Sequence, residues 1–450
     1  MDMATAPCVD VGQLIEAQRP RRVLIRLVLI CWLVTFFDGF DTNAIAFAAP
    51  YLTKAYSFDK AQLTWVFAAG GVGPLFGGMV FGPLGDHIGR RRAVIAAVFT
   101  FGILTLLLAR ADGLWELVAL RAANGVALGG ALPLIWALGV EYVPTRYRAT
   151  AITLIMLGYG IGVAAAGPIS VALVPRFGWP AIFIFGGSAS LVATLVLWAV
   201  LPESLRFLAA RGCDPARLAR VVRWVDPQQD IPTDARYVLA IAQPVERKSW
   251  LPFALFAGQG RWVTPLLWGS YVASSMIAFF FTTWGPTVLE DLGLERATAA
   301  WAVSLNSLAG AIGAVSLMRF TDRLGAISIA VMPAVVVPTF LLIGLAPIPP
   351  SSAVVMMALL YVFIGGSHYG IISIAGTFYP TPQRALGTGW MSGMGKLGSI
   401  LAPFLGGFLL SSGMPVQRVF AVLAIFPALF ALCSFTLGRL ERAGKIRAAA

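Results

Sequence analysis

Long apolar stretches recur along almost the whole chain. A helix needs roughly 20 consecutive apolar residues to cross the hydrocarbon core of a bilayer, where no water satisfies its backbone. Only 12% of the 450 residues are charged, and the mean hydropathy is +0.81. A soluble domain carries about 25% charged residues. The stretches therefore predict an all-α membrane protein with twelve transmembrane helices. The predicted spans are 23–50, 61–83, 92–110, 114–140, 149–174, 179–201, 263–289, 297–318, 327–346, 352–378, 385–412 and 416–438.

Basic residues are distributed unevenly between the two predicted sides of the membrane. Cytoplasmic loops carry an excess of Lys and Arg. If the N-terminus is cytoplasmic, six of the 33 Lys and Arg fall in outer loops: Lys54, Lys60, Arg110, Arg176, Arg296 and Arg418. We therefore expect a multi-pass protein with both termini cytoplasmic. This topology accounts for the net charge of +12, so no nucleic-acid partner is expected.

An internal repeat divides the chain into two similar halves. Asp86 recurs 236 positions later as Asp322, and the loops at 144–149 and 380–385 share that offset. Six helices in each half make the halves parallel, a known plan for transporters with a substrate site near the midplane. The predicted units are an N-terminal tail (1–22), a six-helix bundle (23–201), a cytoplasmic linker (202–262), a second six-helix bundle (263–438) and a C-terminal tail (439–450). The linker is interpreted as a tether.

Four charged residues fall deep within predicted spans: Asp38, Asp41, Arg121 and Lys396. Each costs about 2.5–3.5 kcal/mol at the centre of a membrane helix, so such residues usually have a function. We expect a proton site at the two acids and an anion clamp at Arg121 or Lys396. The alternative is a structural ion pair between helices. His368, also near the midplane, either lines the pocket or only hydrogen-bonds a neighbouring helix.

A glycine-rich basic loop, Gly82–Arg92, joins the second and third spans, and its repeat follows the eighth span. Glycines permit tight turns and close helix approach. Charge pairs that form in one conformation and break in the other would bias an inward/outward equilibrium. The alternative is that these charges only anchor the loops at the inner surface. The predicted gating residues are Gly82, Asp86, Gly89, Arg90, Glu141, Arg148, Asp322, Arg323, Gly325 and Arg384.

These motifs resemble those of a known family of transporters. The Gly82–Arg92 loop resembles the signature loop of the major facilitator superfamily. Other stretches, from the first helix to the last, resemble its aromatic acid:proton symporter family. They are Phe37–Asp41 (FDGFD), Arg121–Pro133 (RAANGVALGGALP), Phe177–Trp179, Leu201–Ser204, Trp284–Thr287 and Gly387–Gly398 (GTGWMSGMGKLG).

The resemblance implies the major facilitator fold and proton-driven uptake of aromatic carboxylates, such as hydroxybenzoates, across the bacterial inner membrane. It places Asp38 and Asp41 in transport and coupling, Arg121 near the substrate, and the loop charges in the conformational switch. Lys396 stands where many members have Arg, which weakens a bidentate clamp on a carboxylate but keeps a point charge. His368 is not a usual residue of the family.

Other functions are compatible with the same sequence features. The same fold serves exporters of drugs or metabolites that work as proton antiporters, and transporters of non-aromatic organic acids. A receptor or membrane enzyme is a further alternative, but the chain has no H-E-x-x-H, G-x-S-x-G or phosphate-loop motif. Four scattered cysteines and two histidines give no metal site. We expect no enzyme activity and no cofactor. The proton gradient is the expected energy source, and the partners are a small organic acid, protons and the bilayer for a monomeric chain.

Overall fold

Twelve long helices account for most of the part of the chain that the computed structural model describes, which is 8–16, 22–210, 218, 221, 236–238, 252–324, 326–379, 383–443 and 446. They are α1 (Arg22–Tyr56), α2 (Lys60–Ile88), α3 (Arg90–Leu108), α4 (Leu114–Glu141), α5 (Arg148–Phe177), α6 (Pro180–Val200), α7 (Gly260–Asp291), α8 (Arg296–Leu324), α9 (Ala326–Leu345), α10 (Pro350–Phe378), α11 (Arg384–Ser411) and α12 (Val416–Leu423 and Ile425–Arg442, interrupted at Ala424). Short helices lie at Val11–Glu16, Thr145–Tyr147, Leu205–Ala210 and Pro252–Phe256. Two short strands, β1 (Cys8–Asp10) and β2 (Arg236–Val238), pair in parallel.

Each predicted span coincides with one of these helices, so the predicted all-α fold is confirmed. Nine helices of the described residues are long and apolar enough to cross a membrane. Several helices are longer than predicted. The first continues through Pro50 to Tyr56, the eighth ends at Leu324 rather than 318, and the last runs on to Arg442. Apolar composition reports only the part of a helix that lies in hydrocarbon, so this criterion ended the predicted spans too early; membrane helices also tolerate a proline such as Pro50.

The repeat in the sequence corresponds to a repeated packing pattern. In the first half, α1 packs on α5 and α2 on α4; in the second half, the equivalent pairs are α7 with α11 and α8 with α10. Glycines allow the backbones to touch. Gly162 of α5 lies against the carbonyl of Phe36 in α1, and Gly313 of α8 against that of Val362 in α10, and neither site has room for a side chain. Small residues at such contacts are typical of helix pairs in membranes.

The two halves contact each other near one end of the bundle. We call the end where α1 begins and α2 ends the basic end, and the other the opposite end. Toward the opposite end, Gly71 of α2 lies against Ile400 of α11, and Gly407 of α11 packs tightly on Thr64 of α2. One apolar core joins buried residues of both halves there, such as Phe67 with Trp284, whose ring centroids are 4.9 Å apart.

Toward the basic end the halves separate. Among the described residues, nothing lies within 4 Å of the side-chain positions of Gly78 and Gly82 in α2, or of Gly389 and Gly393 in α11. The buried residues at this end form two distinct cores, one for each half. Within the described residues, the bundle is therefore closed at the opposite end and open between its halves at the basic end.

Candidate functional site

A buried polar network surrounds Asp41 in the middle of the first half. Asp41 is 1% exposed, and its Oδ2 accepts hydrogen bonds from Arg121 Nη1 at 3.0 Å and Asn124 Nδ2 at 2.8 Å. Its Oδ1 accepts from Thr105 Oγ1 at 2.8 Å. The network joins α1, α3 and α4. Three donors, one of them a cation, therefore compensate this buried carboxylate for its loss of water.

The guanidinium of Arg121 also lies close to the backbone of α2 at Gly70. A side chain at Gly70 would come within 2.9 Å of the guanidinium, so the glycine makes room for it. The residue is 5% exposed and its charge is paired with Asp41. In this conformation Arg121 forms an ion pair with Asp41 of the same half, and its role as an anion clamp stays a prediction.

Asp38 differs from Asp41, although it lies only three residues earlier on the same helix. It is 3% exposed, and its Oδ2 has no hydrogen-bond partner among the described residues. The charge that acts on it favourably is that of Lys396, on α11 of the other half, which does not form a direct ion pair with it in the described structure. Asp38 is thus a buried carboxylate without full compensation, facing a cation across the interface between the halves.

Lys396 stands beside an aromatic cluster in the second half. The ring of Tyr271 in α7 packs directly on Gly395, the residue before Lys396. On α10, His368 stacks on the same ring, with centroids 5.2 Å apart and planes at 26°. Ser274 Oγ lies 2.9 Å from His368 Nδ1. The structure therefore places His368 against Tyr271, which packs on the residue before Lys396, while the charge of Lys396 acts on Asp38 of the first half.

The signature loop is held at the basic end by charged contacts within the first half. Arg90 forms an ion pair with the buried Glu141 at the end of α4. The backbone N–H of Arg91 donates to Glu203 Oε1 at 3.0 Å, and Arg91 Nε donates to the carbonyl of Leu201 at 2.6 Å. These contacts tie the start of α3 to the end of α4 and to the segment just after α6, so all of them lie within the first half.

The remaining predicted gating residues are spread over the basic end. Arg148 contacts Glu16 of the N-terminal segment at 3.7 Å. Hydrogen bonds from Thr145 hold the pKa of the Glu16 carboxyl below its ordinary value.

The other predicted gating residues have different surroundings. Asp86 is exposed. Arg384 Nε and Glu141 Oε2 are buried and have no hydrogen-bond partner in the described part of the chain. Outside the described residues lie Gly325 and the side chains of Asp322 and Arg323.

Two glycines of the signature loop have different surroundings, and this gives a first prediction. Gly89 adopts φ +99°, and a side chain there would collide with the carboxylate of Glu203. We expect Gly89→Ala to lower the free energy of unfolding by about 1–3 kcal/mol, because the conformation is strained for any L-residue.

Gly82→Ala is the matched control. Gly82 lies within α2 with open space around it, so alanine is expected to be neutral or to stabilise the fold by up to about 1 kcal/mol. Thermal unfolding in detergent measures both, and equal losses would contradict the role assigned to Gly89.

At the opposite end, polar contacts bridge the two halves. Lys60 Nζ of α2 lies 2.6 Å from Asp291 Oδ2 of α7. Arg296 of α8 is 4.4 Å from the ring centroid of Tyr51 in α1, and its guanidinium is held by Glu290 at 2.8–3.1 Å. A cavity of about 180 Å³ lies between the halves beside this cluster. These contacts close the opposite end.

Four residues of the site were not predicted from the sequence. Thr105 and Asn124 complete the Asp41 network, and Tyr271 and Ser274 surround His368. Asn124 follows Arg121 by three positions and so shares its helix face, which was a usable signal. The other three have no such signal in the sequence, because Ser, Thr and Tyr occur throughout membrane helices.

Among the described residues, no group of three or more His, Cys, Asp or Glu could hold a metal ion.

Known proteins resemble this chain over nearly its whole length. The family model of the Major Facilitator Superfamily matches residues 31–377. The 4-hydroxybenzoate transporter PcaK of Pseudomonas aeruginosa is 33% identical over 97% of this chain and 98% of that protein. The gallate transporter of Pseudomonas putida is 32% identical over 93% and 92%. A crystal structure of a bacterial homologue of the human lysosomal transporter Spinster matches with a TM-score of 0.72 and 14% identity, covering 96% of this chain and 100% of that one, and this shows a shared fold.

Long apolar helices in two repeated halves, with buried charges between them, define a multi-pass membrane transporter, and the relatives are transporters rather than enzymes. The chain belongs to the Major Facilitator Superfamily and, within it, to the family of bacterial aromatic acid transporters.

Proposed function

We propose that this protein takes up an aromatic carboxylate, such as a hydroxybenzoate, by proton-coupled symport and alternating access. The observation that carries the proposal is the buried Asp38, which lacks a partner on Oδ2 and faces Lys396 across the interface between the halves. The relatives named for 4-hydroxybenzoate and gallate support an aromatic acid as the substrate class.

Charge balance explains how this pair couples the two fluxes. Without substrate, Asp38 and Lys396 partly neutralise each other. A carboxylate that binds Lys396 replaces Asp38 as its counter-ion, and the aspartate then becomes an uncompensated buried charge. Such a group takes up a proton rather than remain ionised in a low dielectric. The site therefore stays neutral when one proton enters with each monovalent acid, and only a neutral site closes between the halves at low cost.

The proposed location is the bacterial inner membrane, with the basic end in the cytoplasm. This orientation follows the excess of Lys and Arg in cytoplasmic loops. It places Arg90, Arg91 and Arg92 inside, together with both chain termini. The opening between the halves then faces the cytoplasm, and the contacts at the opposite end form the outer gate. Because one chain contains both halves and the whole interface, we propose that it works as a monomer.

Uptake into proteoliposomes tests the proposal. Purified protein should accumulate labelled 4-hydroxybenzoate when the outside is acidified, and should exchange labelled for unlabelled acid without a gradient. Benzoate, gallate, nicotinate and a non-aromatic dicarboxylate serve as competitors. Efflux driven by an inward proton gradient would instead indicate an antiporter. Preference for the non-aromatic acid would contradict the substrate class, and the absence of any exchange would contradict a transporter for these acids.

The Lys60–Asp291 pair gives a prediction about the outer gate. Both side chains are 35% exposed, and such pairs contribute about 0–1 kcal/mol, which corresponds to at most about a fivefold change in a conformational equilibrium. We expect Lys60→Glu to shift the population toward states open at the opposite end. Distances between spin labels at Asp112 and Glu295 should then lengthen in a larger fraction of molecules. The exchanged pair, Lys60→Glu with Asp291→Lys, should restore the original distribution; if it does not, the pair does not act as a latch.

A further inference from the structure

A groove of about 350 Å³ lies between α1 and α5 near the basic end of the first half. We call it the α1–α5 groove. In the described part of the chain its lining is mainly apolar and includes Ile25, Leu29, Trp32, Tyr147, Leu154 and Leu157. The two helix backbones touch deeper in the bundle, where a side chain at Gly158 would come within 2.5 Å of the carbonyl of Trp32. The groove lies where longer side chains keep the helices apart.

The α1–α5 groove opens toward the bilayer and not toward the interface between the halves. Leu29 precedes Asp38 by nine positions, about two and a half helical turns, so the two side chains point to opposite sides of α1. The charge that acts on Asp38 comes from the other half of the protein. Leu29 and Leu154, which line the groove, are 58% and 46% exposed. The groove therefore offers its apolar surface to lipid.

The groove has the depth of one leaflet of the bilayer. Leu157 is the deepest lining residue of α5 and lies nine residues after Arg148, where that helix starts, which is about 14 Å along its axis. Half of the hydrocarbon core is about 15 Å thick. Tyr147 lies at the other end of the groove, and tyrosines are enriched at the level of the lipid headgroups. One acyl chain from the leaflet at the basic end therefore matches the groove in length.

Positive charge flanks the end of the groove at the headgroup level. The guanidinium of Arg146 stands 5.0 Å from the ring centroid of Tyr147, and both side chains are exposed. Arg26 is exposed as well and directly follows a lining residue of α1. The carboxylate of Glu16 lies at the same corner, but it pairs with Arg148 at 3.7 Å. The charge of this end therefore complements an anionic headgroup.

From these observations we propose that the α1–α5 groove binds one molecule of phosphatidylglycerol, with an acyl chain along the apolar lining and the phosphate near Arg26 and Arg146. Burial of the chain contributes to the affinity for any phospholipid. Selectivity comes from the arginines, because each basic side chain near the membrane surface strengthens binding of an anionic lipid about fivefold. The inference goes beyond the proposed function and is tested without substrate.

Lipid titration of the purified full-length protein in detergent, followed by native mass spectrometry, tests the proposal. The two probes are dioleoyl phosphatidylglycerol and dioleoyl phosphatidylethanolamine, which have the same acyl chains and differ in headgroup charge. We expect one phosphatidylglycerol to bind at least about fivefold more tightly than phosphatidylethanolamine. Arg26→Gln and Arg146→Gln should each weaken phosphatidylglycerol binding about fivefold, and the double variant about 25-fold. The Kd for phosphatidylethanolamine should change less than about twofold, because that headgroup has no net charge.

The matched control is Arg261→Gln at the basic end of the second half. Arg261 is exposed and stands 5.7 Å from the ring centroid of Trp262, so it repeats the arrangement of Arg146 away from the groove, and neither Kd should change. Thr150→Trp fills the groove from an exposed lining position and should weaken binding of both lipids. If this variant proves unstable, the arginine variants still decide the result.

Three results would overturn the inference. The first is equal affinity of the unaltered protein for the two lipids. The second is a loss of phosphatidylglycerol binding in Arg261→Gln as large as in Arg26→Gln and Arg146→Gln. The third is a dimer that dissociates in Thr150→Trp, which would show that a second copy of the chain occupies the groove. Uptake of aromatic acids is measured separately, so each of these results leaves the proposed function standing.

Discussion

Replacing Asp38 with asparagine should abolish accumulation of the substrate against its gradient while exchange of labelled for unlabelled substrate continues. Asparagine has the shape of the protonated aspartic acid but cannot release a proton. Lys396 then lacks its counter-ion in the empty state and binds the carboxylate without any accompanying proton. The substrate flux is uncoupled from the proton flux, so internal substrate should rise only to equilibrium with the outside. Proteoliposomes with an imposed pH gradient measure both activities.

Asp38→Glu is the control for this prediction, because it keeps a titratable carboxyl at the same position and should retain some uphill transport. A second control is Asp59→Asn, which removes a carboxylate from the exposed cap of α2, far from the interface. Persistence of full accumulation in Asp38→Asn would show that the proton is carried elsewhere. Loss of exchange as well would show that Asp38 binds substrate or supports the fold, rather than coupling.

The second large effect is expected at Arg121. A substitution there should lower the stability of the fold as well as abolish transport. Arg121→Gln leaves the Asp41 carboxylate, 1% exposed, without its charged partner. Breaking a buried ion pair from one side typically costs about 3–5 kcal/mol, because an uncompensated charge remains. The thermal unfolding temperature in detergent should therefore fall markedly, and uptake should be lost.

The double variant, Asp41→Asn with Arg121→Gln, separates the two roles. It removes both charges and leaves amides that can still bond Thr105 and Asn124, so it should be more stable than Arg121→Gln alone. Full restoration of the unfolding temperature without recovery of uptake would show that the pair also serves transport. Additive losses in the double variant would contradict a direct interaction, since independent sites add and paired ones do not.

The two acids of α1 illustrate the limit of the sequence. Their spacing puts Asp38 and Asp41 on one helix face, and from the sequence we expect them to form one proton site. In the structure, Asp41 bonds Arg121 within the first half, and Asp38 faces Lys396 in the second. The rotation of α1 about its own axis decides which partner each acid meets, and the packing of glycines such as Gly39 against Tyr159 of α5 sets that rotation. One chain read alone contains no information about that contact.

The sequence by itself determined the number and order of the membrane helices, the two-fold repeat and the set of intramembrane charges, because the bilayer imposes length and hydrophobicity on each span independently. Only the tertiary structure decided which charges pair, that Tyr271 and Ser274 orient His368, and that the bundle is open at its basic end. These depend on how helices from distant parts of the chain meet. A contact between residues eighty or more positions apart, such as those of Asp41 with Arg121 and of Ser274 with His368, has no local signature in hydropathy or spacing.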